Sequence, residues 1–246
     1  MDSPSLDKPF ARAPWFDLFL AGVSLATLLT LCTYTLGLST LPLAVGGLLY
    51  LALALILITG LALSRSHFGP ADRVTLSRAV LVLFLTSLTF HPDILQRMAW
   101  PYALLCLAAL VMDGFDGYVA RRTDTASRFG ARFDMELDAF FILMLCIAVM
   151  VLGKAGAWVL VIGLVRYGFV MAGWHWSWLN DPLPDSFRRK TLCVWQLVTL
   201  MLALLPVTPE WFAHATLILA LVLLAGSFAT DVQYLHRRYR LTRSLK

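Results

Sequence analysis

Charged residues are scarce in this chain: Asp, Glu, Lys and Arg account for 14% of its 246 residues. A soluble domain of ordinary composition carries roughly 25% charged residues, because its surface must be solvated. The composition therefore excludes an ordinary soluble globule. Hydrophobic residues make up 59% of the chain and the mean hydropathy is +0.76, so the lipid bilayer must be its main solvent.

Long polar stretches are also few, and they separate eight apolar runs. A helix needs about 20 apolar residues to cross the hydrocarbon layer, and the runs recur with only short polar breaks. This pattern excludes one large globular core, whose helices would each keep a polar face. It predicts membrane-spanning helices at residues 15–36, 42–63, 74–90, 94–113, 131–152, 157–178, 191–208 and 211–233.

Cysteine is sparse and shows no paired spacing. The four cysteines lie in four different apolar runs, at Cys32, Cys106, Cys146 and Cys193. Neither a disulfide framework nor a cysteine-based metal site has this pattern. We interpret all four as packing residues.

The formal net charge of +5 would suggest nucleic-acid binding if the basic residues were scattered. When the eight spans alternate in direction, however, all of the 20 basic residues except Arg97, Lys154 and Arg166 fall at one membrane face. By the positive-inside rule that face is cytosolic. The charge therefore predicts a multi-pass integral protein with both termini and the site described below facing the cytosol. We expect the membrane to be a bacterial cytoplasmic membrane. It does not predict a nucleic-acid partner.

The polar breaks predict four parts along the chain. Residues 1–14 read as a cytosolic tail and residues 15–63 as a transmembrane hairpin with almost no ionisable side chains. Residues 64–236 contain the remaining six spans and every candidate site residue, and residues 237–246 form a basic cytosolic tail. The chemistry is therefore expected in the third part.

Acidic residues recur at helical spacing on both sides of the basic turn within residues 113–138. Residues separated by three, four, seven and eight positions share one face of a helix. The two helices are joined by a short turn and run antiparallel, so their faces can meet and bring four carboxylates together. The first face carries Asp113, Asp116, Gly117, Ala120 and Arg121, and the second carries Gly130, Asp134 and Asp138.

Four clustered carboxylates in a membrane protein need a compensating positive charge. An acidic residue in a membrane helix costs about 2.5–3.5 kcal/mol on insertion scales, and each close pair repels by about 4 kcal/mol at an effective dielectric of 20. Hard oxygen ligands of this kind usually bind Mg²⁺ or Mn²⁺. The cluster therefore predicts two divalent cations, and the small residues beside it leave space for a large phosphorylated ligand.

The same stretch resembles the CDP-alcohol phosphotransferase family. Its signature is D-x-x-D-G-x-x-A-R, eight residues, then G-x-x-x-D-x-x-x-D, and every fixed position agrees between Asp113 and Asp138. The family's upstream pattern is echoed by Pro70, Asp72, Thr75 and Arg78, although Asp72 stands where the family usually has asparagine. The resemblance implies an all-α polytopic membrane bundle, with a six-helix core preceded here by two added transmembrane helices.

The resemblance also implies an activity: transfer of a phosphatidyl group from CDP-diacylglycerol to a small alcohol, with release of CMP. Asp138 would be the catalytic base and would complete the metal site. The other metal ligands would be Asp113, Asp116 and Asp134, and the donor would be held by Asp72, Thr75, Arg78, Gly117, Ala120, Arg121 and Gly130. By analogy with the family, the enzyme would be a homodimer among membrane lipids.

The acceptor alcohol is less constrained. Arg166 lies midway along an apolar span, where an uncompensated cation is costly, and the next span is preceded by Arg188, Arg189 and Lys190. Together they could bind the phosphate of glycerol 3-phosphate. The Ala-Phe-Phe that follows Asp138 differs from the Ala-Asp-Lys often found in the glycerophosphate-using branch, so serine, inositol and choline stay open.

Two rival functions fit the sequence less well. Intramembrane prenyltransferases also bind a diphosphate through aspartates and Mg²⁺, but their aspartate motifs lie far apart in sequence. An ion-coupled transporter would carry charged residues along several spans, whereas the outer halves of these helices have almost none. Each of these two functions predicts acids spread more widely along the chain than the cluster at residues 113–138.

Overall fold

A computed structural model of the protein describes residues 14–64, 68–123, 127–181 and 186–244. Within these ranges the side chains of residues 116–123, 128, 177, 180, 190 and 242–244 are outside the description. The described ranges contain nine α-helices and two short 3-10 helices, and no strand. The prediction of an all-α helix bundle is therefore confirmed.

The helices follow the apolar runs with a few shifts in their ends. Proline occupies the first position of α3 and α4, where its fixed φ suits a helix and its missing N–H costs nothing. The α-helices are α1 Trp15–Leu36, α2 Leu41–Ser64, α3 Pro70–Thr89, α4 Pro92–Arg97, α5 Ala99–Thr123, α6 Arg128–Val151, α7 Leu160–His175, α8 Phe187–Leu204 and α9 Glu210–Ser244. The 3-10 helices are Ala157–Val159 and Ser177–Asn180.

Two of these helices extend beyond the apolar runs that predicted them. The run at 94–113 divides into α4 and α5, and α5 continues to Thr123. Helix α9 continues to Ser244, through most of the stretch predicted as a basic tail. Both extensions contain arginines, which have a high helix propensity. A prediction from hydropathy alone therefore placed the ends of these helices too early.

Four helical stretches in the described part of the chain are long and apolar enough to cross a membrane. They are Trp15–Leu36, Leu41–Ser64, Ala157–His175 and Glu210–Leu241. The other four predicted spans correspond to helices that carry acidic, basic or polar side chains among their apolar ones. For those four, membrane crossing stays a prediction.

The described residues form two compact units. The first unit contains the described residues up to Leu88 together with Leu105–Leu137, and the second contains Thr89–Leu104 and the described residues from Asp138 onward. The prediction of a hairpin followed by a six-helix domain is not tested by this division.

In the first unit the N-terminal hairpin packs against a helix of the candidate site. The Tyr50 hydroxyl of α2 donates a hydrogen bond to the Leu18 carbonyl of α1. Asp17 of α1 forms an ion pair with Arg73 of α3, with 3.1 Å between the Oδ2 and Nε atoms. The hairpin is thus tied to α3, which also carries Asp72, Thr75 and Arg78.

In the second unit α6 and α7 approach each other at a glycine. A Cβ atom placed on Gly163 would lie 2.7 Å from the Cα atom of Leu143, closer than real Cβ contacts allow. Because the obstructing atom is backbone, no rotamer change can relieve the overlap, and the two helices would have to separate.

We therefore expect Gly163→Ala to lower the free energy of unfolding by about 1–3 kcal/mol. Gly168 lies on the same helix with no atom near its added Cβ, so Gly168→Ala provides a matched control. It should be neutral or slightly stabilising, since alanine is the better helix former. Thermal unfolding of the two variants in detergent measures the difference. Equal stability would mean that α7 is not packed closely on α6.

Candidate active site

Three carboxylates come together where α5 meets α6. Asp113 lies on α5, and Asp134 and Asp138 lie one turn apart on α6. One oxygen atom from each carboxylate can be chosen so that all three lie within 4.8 Å of one another. The side chains of Asp113 and Asp134 are 34% and 36% exposed, so they are shielded yet reachable from solvent.

This arrangement fits a divalent cation. Mg²⁺ binds oxygen at 2.0–2.1 Å and Ca²⁺ at 2.3–2.6 Å, so two ligands of one ion lie roughly 3–5 Å apart. The three oxygens lie within 4.8 Å of one another, below the upper end of that range, and all three are hard donors of the kind that Mg²⁺ and Mn²⁺ prefer. The side chains present therefore suit the metal that the sequence predicts.

A buried arginine lies between two of these carboxylates. Arg78 of α3 is only 2% exposed, and its guanidinium forms ion pairs with both Asp113 and Asp134. The Nη2 atom is 2.5 Å from Oδ1 of Asp134, and the Nη1 atom contacts Oδ1 of Asp113. From the sequence we predicted that Arg78 contacts the donor. The structure pairs it with these two acids, and its contact with the donor stays a prediction.

Asp72 fills the space beside Gly130. It is 2% exposed, and its Oδ2 atom accepts a hydrogen bond of 2.7 Å from the Gly69 N–H. A Cβ atom on Gly130 would overlap Asp72 Oδ1, so the glycine allows the start of α3 to reach α6. Asp72 precedes the span predicted to begin at residue 74. Burial raises the pKa of its carboxyl, and the Gly69 hydrogen bond opposes that rise.

Ser127 lies at the same junction. Its Oγ atom accepts a hydrogen bond of 2.8 Å from the Gly130 N–H at the start of α6, as an N-cap does. Thr75, one turn after Asp72 on α3, is 4% exposed, and its hydroxyl donates to the Ala71 carbonyl. Asp72, Thr75 and Arg78 therefore form a buried polar face of α3.

Comparison with known proteins agrees with the acidic signature. The family model for CDP-alcohol phosphatidyltransferase matches residues 68–226, well over half of the chain. The chain belongs to this family. It is therefore a phosphatidyltransferase, and with its four long apolar helices it is an integral membrane protein. Members of the family use a CDP-alcohol, an alcohol acceptor and a divalent metal.

Two curated relatives come from two strains of Mycobacterium tuberculosis, and each is called a probable phosphatidylglycerophosphate synthase. Each is 29% identical to this phosphatidyltransferase over 174 residues, which cover 69% of this chain and 81% of the relative. No solved structure gives a significant match.

Five predicted site residues of this phosphatidyltransferase have side chains outside the described part of the structure. Their backbone is described: four lie on α5 beyond Asp113, and one lies in the first turn of α8. Their roles stay predictions. These residues are Asp116, Gly117, Ala120, Arg121 and Lys190.

The residues predicted to bind the acceptor belong to the second unit. Arg188 of α8 donates a hydrogen bond of 2.9 Å to Oδ1 of Asp231 on α9, and it lies 3.5 Å from the Ser227 carbonyl. Arg189 Nη1 is 3.8 Å from the other Asp231 oxygen. Sequence reasoning missed Asp231. The signal was available, because it is the single acid on α9 beyond the first turn.

Arg166 lies on α7 and is half-buried. Its Nε atom is shielded from solvent. Arginine is preferred over lysine for ion pairs away from water and for phosphate recognition. The position therefore suits a residue that meets an anionic ligand.

Proposed function

We propose that this enzyme is a phosphatidylglycerophosphate synthase, which transfers a phosphatidyl group from CDP-diacylglycerol to glycerol 3-phosphate and releases CMP. The observation that carries the acceptor assignment is the shared ion pair of α8 and α9. Arg188 and Arg189 bring two positive charges to the one carboxylate of Asp231. Such a group favours a phosphate over a neutral alcohol.

The name of the two Mycobacterium relatives supports the same acceptor. It belongs to proteins 29% identical to this one, which is too distant to transfer a substrate without a test. Serine, inositol and choline are the alternatives. None of them carries a phosphate, so none would use the positive charge near Asp231.

The reaction needs one proton transfer and one displacement. The acceptor hydroxyl loses its proton to Asp138, and its oxygen bonds to the phosphorus that bears diacylglycerol. The bond from that phosphorus to the CMP oxygen breaks, and CMP leaves with the electron pair. The metal ions would be held by Asp113, Asp116, Asp134 and Asp138, and they would supply positive charge to the diphosphate and to the departing CMP.

The placement of the acids at helix ends suits both halves of the donor. In the proposed topology, Asp113 approaches the cytosolic end of its span, and Asp134 and Asp138 begin the next one. The nucleotide is water-soluble and enters from the cytosol, whereas the diacylglycerol chains stay in the lipid. We further propose that both termini face the cytosol and that the enzyme is a homodimer, which cross-linking in native membranes can test.

Purified enzyme with CDP-diacylglycerol, Mn²⁺ or Mg²⁺ and a panel of alcohols tests the acceptor through CMP release. Glycerol 3-phosphate should be used in strong preference to glycerol, serine, inositol and choline. Fast turnover with an unphosphorylated alcohol would reject the proposal while leaving the family activity intact.

Arg166→Ala should raise the KM for glycerol 3-phosphate by about 10- to 100-fold, because a hydrogen bond to a charged group contributes about 1.5–3 kcal/mol. The KM for CDP-diacylglycerol should change by less than about threefold, because Arg166 is not proposed to form a hydrogen bond to the donor. Arg97 of α4 is exposed, so Arg97→Ala is the control and should leave both constants near wild type. An equal rise of both KM values in Arg166→Ala would indicate a structural role instead.

A further inference from the structure

Arg78 joins the two helices that carry the metal-binding acids. Its planar guanidinium presents one nitrogen to Asp113 on α5 and another to Asp134 on α6. All three residues belong to the first compact unit. At 2% exposure the arginine cannot exchange these partners for water without a local rearrangement. The guanidinium therefore holds both carboxylates in place.

The two carboxylates held by Arg78 are also two of the three that suit a divalent cation. A cation at this cluster would lie within a few ångströms of the guanidinium, since both need Oδ atoms of the same side chains. Like charges at that separation repel strongly inside a protein, where water screens them poorly. Arginine stays protonated at all relevant pH values, so loss of a proton cannot relieve the repulsion.

We propose that Arg78 is a positioning residue that serves as the counter-ion of the metal-free enzyme and competes with the divalent cation for Asp113 and Asp134. This inference rests on the metal assignment of the proposed function, and it does not depend on the acceptor. Metal binding displaces the guanidinium from at least one carboxylate. The arginine therefore stabilises the empty site and lowers its affinity for metal.

The competition can be measured without any substrate. Mn²⁺ is added to detergent-purified enzyme, and bound ion is followed by the loss of the free-Mn²⁺ electron paramagnetic resonance signal. Arg78→Met keeps much of the side-chain length and removes the charge. It should bind Mn²⁺ about tenfold more tightly than wild type, within the 5- to 150-fold range usual for coupled ligands. Unchanged or weaker binding would overturn the proposal.

Thermal unfolding provides a second readout that a purely structural arginine would not give. In EDTA, Arg78→Met should unfold at a lower temperature than wild type, because Asp113 and Asp134 then repel each other. Saturating Mn²⁺ should remove most of that difference, since the ion replaces the missing charge. A deficit of the same size with and without Mn²⁺ would contradict the competition.

Arg73→Met is the matched control. Arg73 lies on the same helix and also forms an ion pair, but its partner is Asp17 on α1 and its side chain is 45% exposed. Its loss should leave Mn²⁺ affinity at the wild-type value. A tighter site in Arg73→Met would mean that any lost positive charge on α3 has the same effect, and the specific role of Arg78 would fail.

Arg78→Lys keeps the proposal testable if the methionine variant does not fold. Lysine retains the charge but has no planar fork, so it cannot pair with both carboxylates in the same way. Its Mn²⁺ affinity should lie above that of wild type, and an affinity at or below the wild-type value would reject the inference. If wild-type enzyme itself bound no Mn²⁺, the metal assignment would be rejected. If only the acceptor assignment were wrong, the Mn²⁺ affinities and unfolding temperatures of these variants would be unchanged.

Discussion

Replacing Asp138 with asparagine is expected to reduce CMP release by about 10³-fold or more, while the protein stays folded in the membrane. An amide cannot take the proton of the acceptor hydroxyl, and a general base usually contributes 10²–10⁴-fold. It also replaces a charged carboxylate oxygen by a neutral one at the cluster formed with Asp113 and Asp134. The two losses fall on the same step, so the combined effect should be large.

Glu136 supplies the matched control for this variant. It lies on α6 two residues before Asp138 and is exposed, and the helical period directs it away from the Asp134 and Asp138 face. Glu136→Gln should retain most of the wild-type rate. Circular dichroism and gel filtration of both variants establish that folding is retained. A folded Asp138→Asn enzyme with near-normal CMP release would remove Asp138 as the base and leave the site without an assigned proton acceptor.

Removal of divalent metal should reduce CMP release about as much as Asp138→Asn does. Excess EDTA is expected to lower CMP release to background, at least about 10³-fold, because charge on the leaving phosphate would no longer be neutralised. Addition of Mn²⁺ or Mg²⁺ beyond the chelator should restore the rate. The ion that restores it at the lower concentration is the one the site prefers.

The chelation experiment also separates loss of metal from loss of structure. Arg78 forms ion pairs with both Asp113 and Asp134, so EDTA should leave the fold intact and the loss should be reversible. Full activity in a preparation shown by elemental analysis to be free of divalent metal would exclude metal-assisted transfer. Irreversible loss would point to unfolding rather than to chemistry.

Much of the fold could be predicted because hydropathy and helical periodicity are local properties. The apolar runs located the helices, and the three- and four-residue spacing of the acids placed Asp134 and Asp138 on one face of α6. Predictions from these local properties were wrong at some helix ends. Helix α5 extends beyond its apolar run to Thr123, since helix formation there depends on backbone hydrogen bonds and not on contact with lipid.

The sequence by itself determined the class of protein. Its scarcity of charge required a membrane, and the acids at 113–138, in a signature with fixed spacing, were enough to predict a CDP-alcohol phosphotransferase, which the family match confirms. These conclusions follow from residues close together in the chain, where the geometry of one helix or one turn fixes the distances.

Only the tertiary structure decided which charges meet. Arg78 lies 35 and 56 residues from its two acidic partners, and Arg188 lies 43 residues from Asp231. Helical periodicity says which side of a helix a residue occupies, but it does not say which other helix that side faces. For that reason the sequence predicted the acids and their metal, and the packing of α3 against α5 and α6 identified the arginine that the metal must displace.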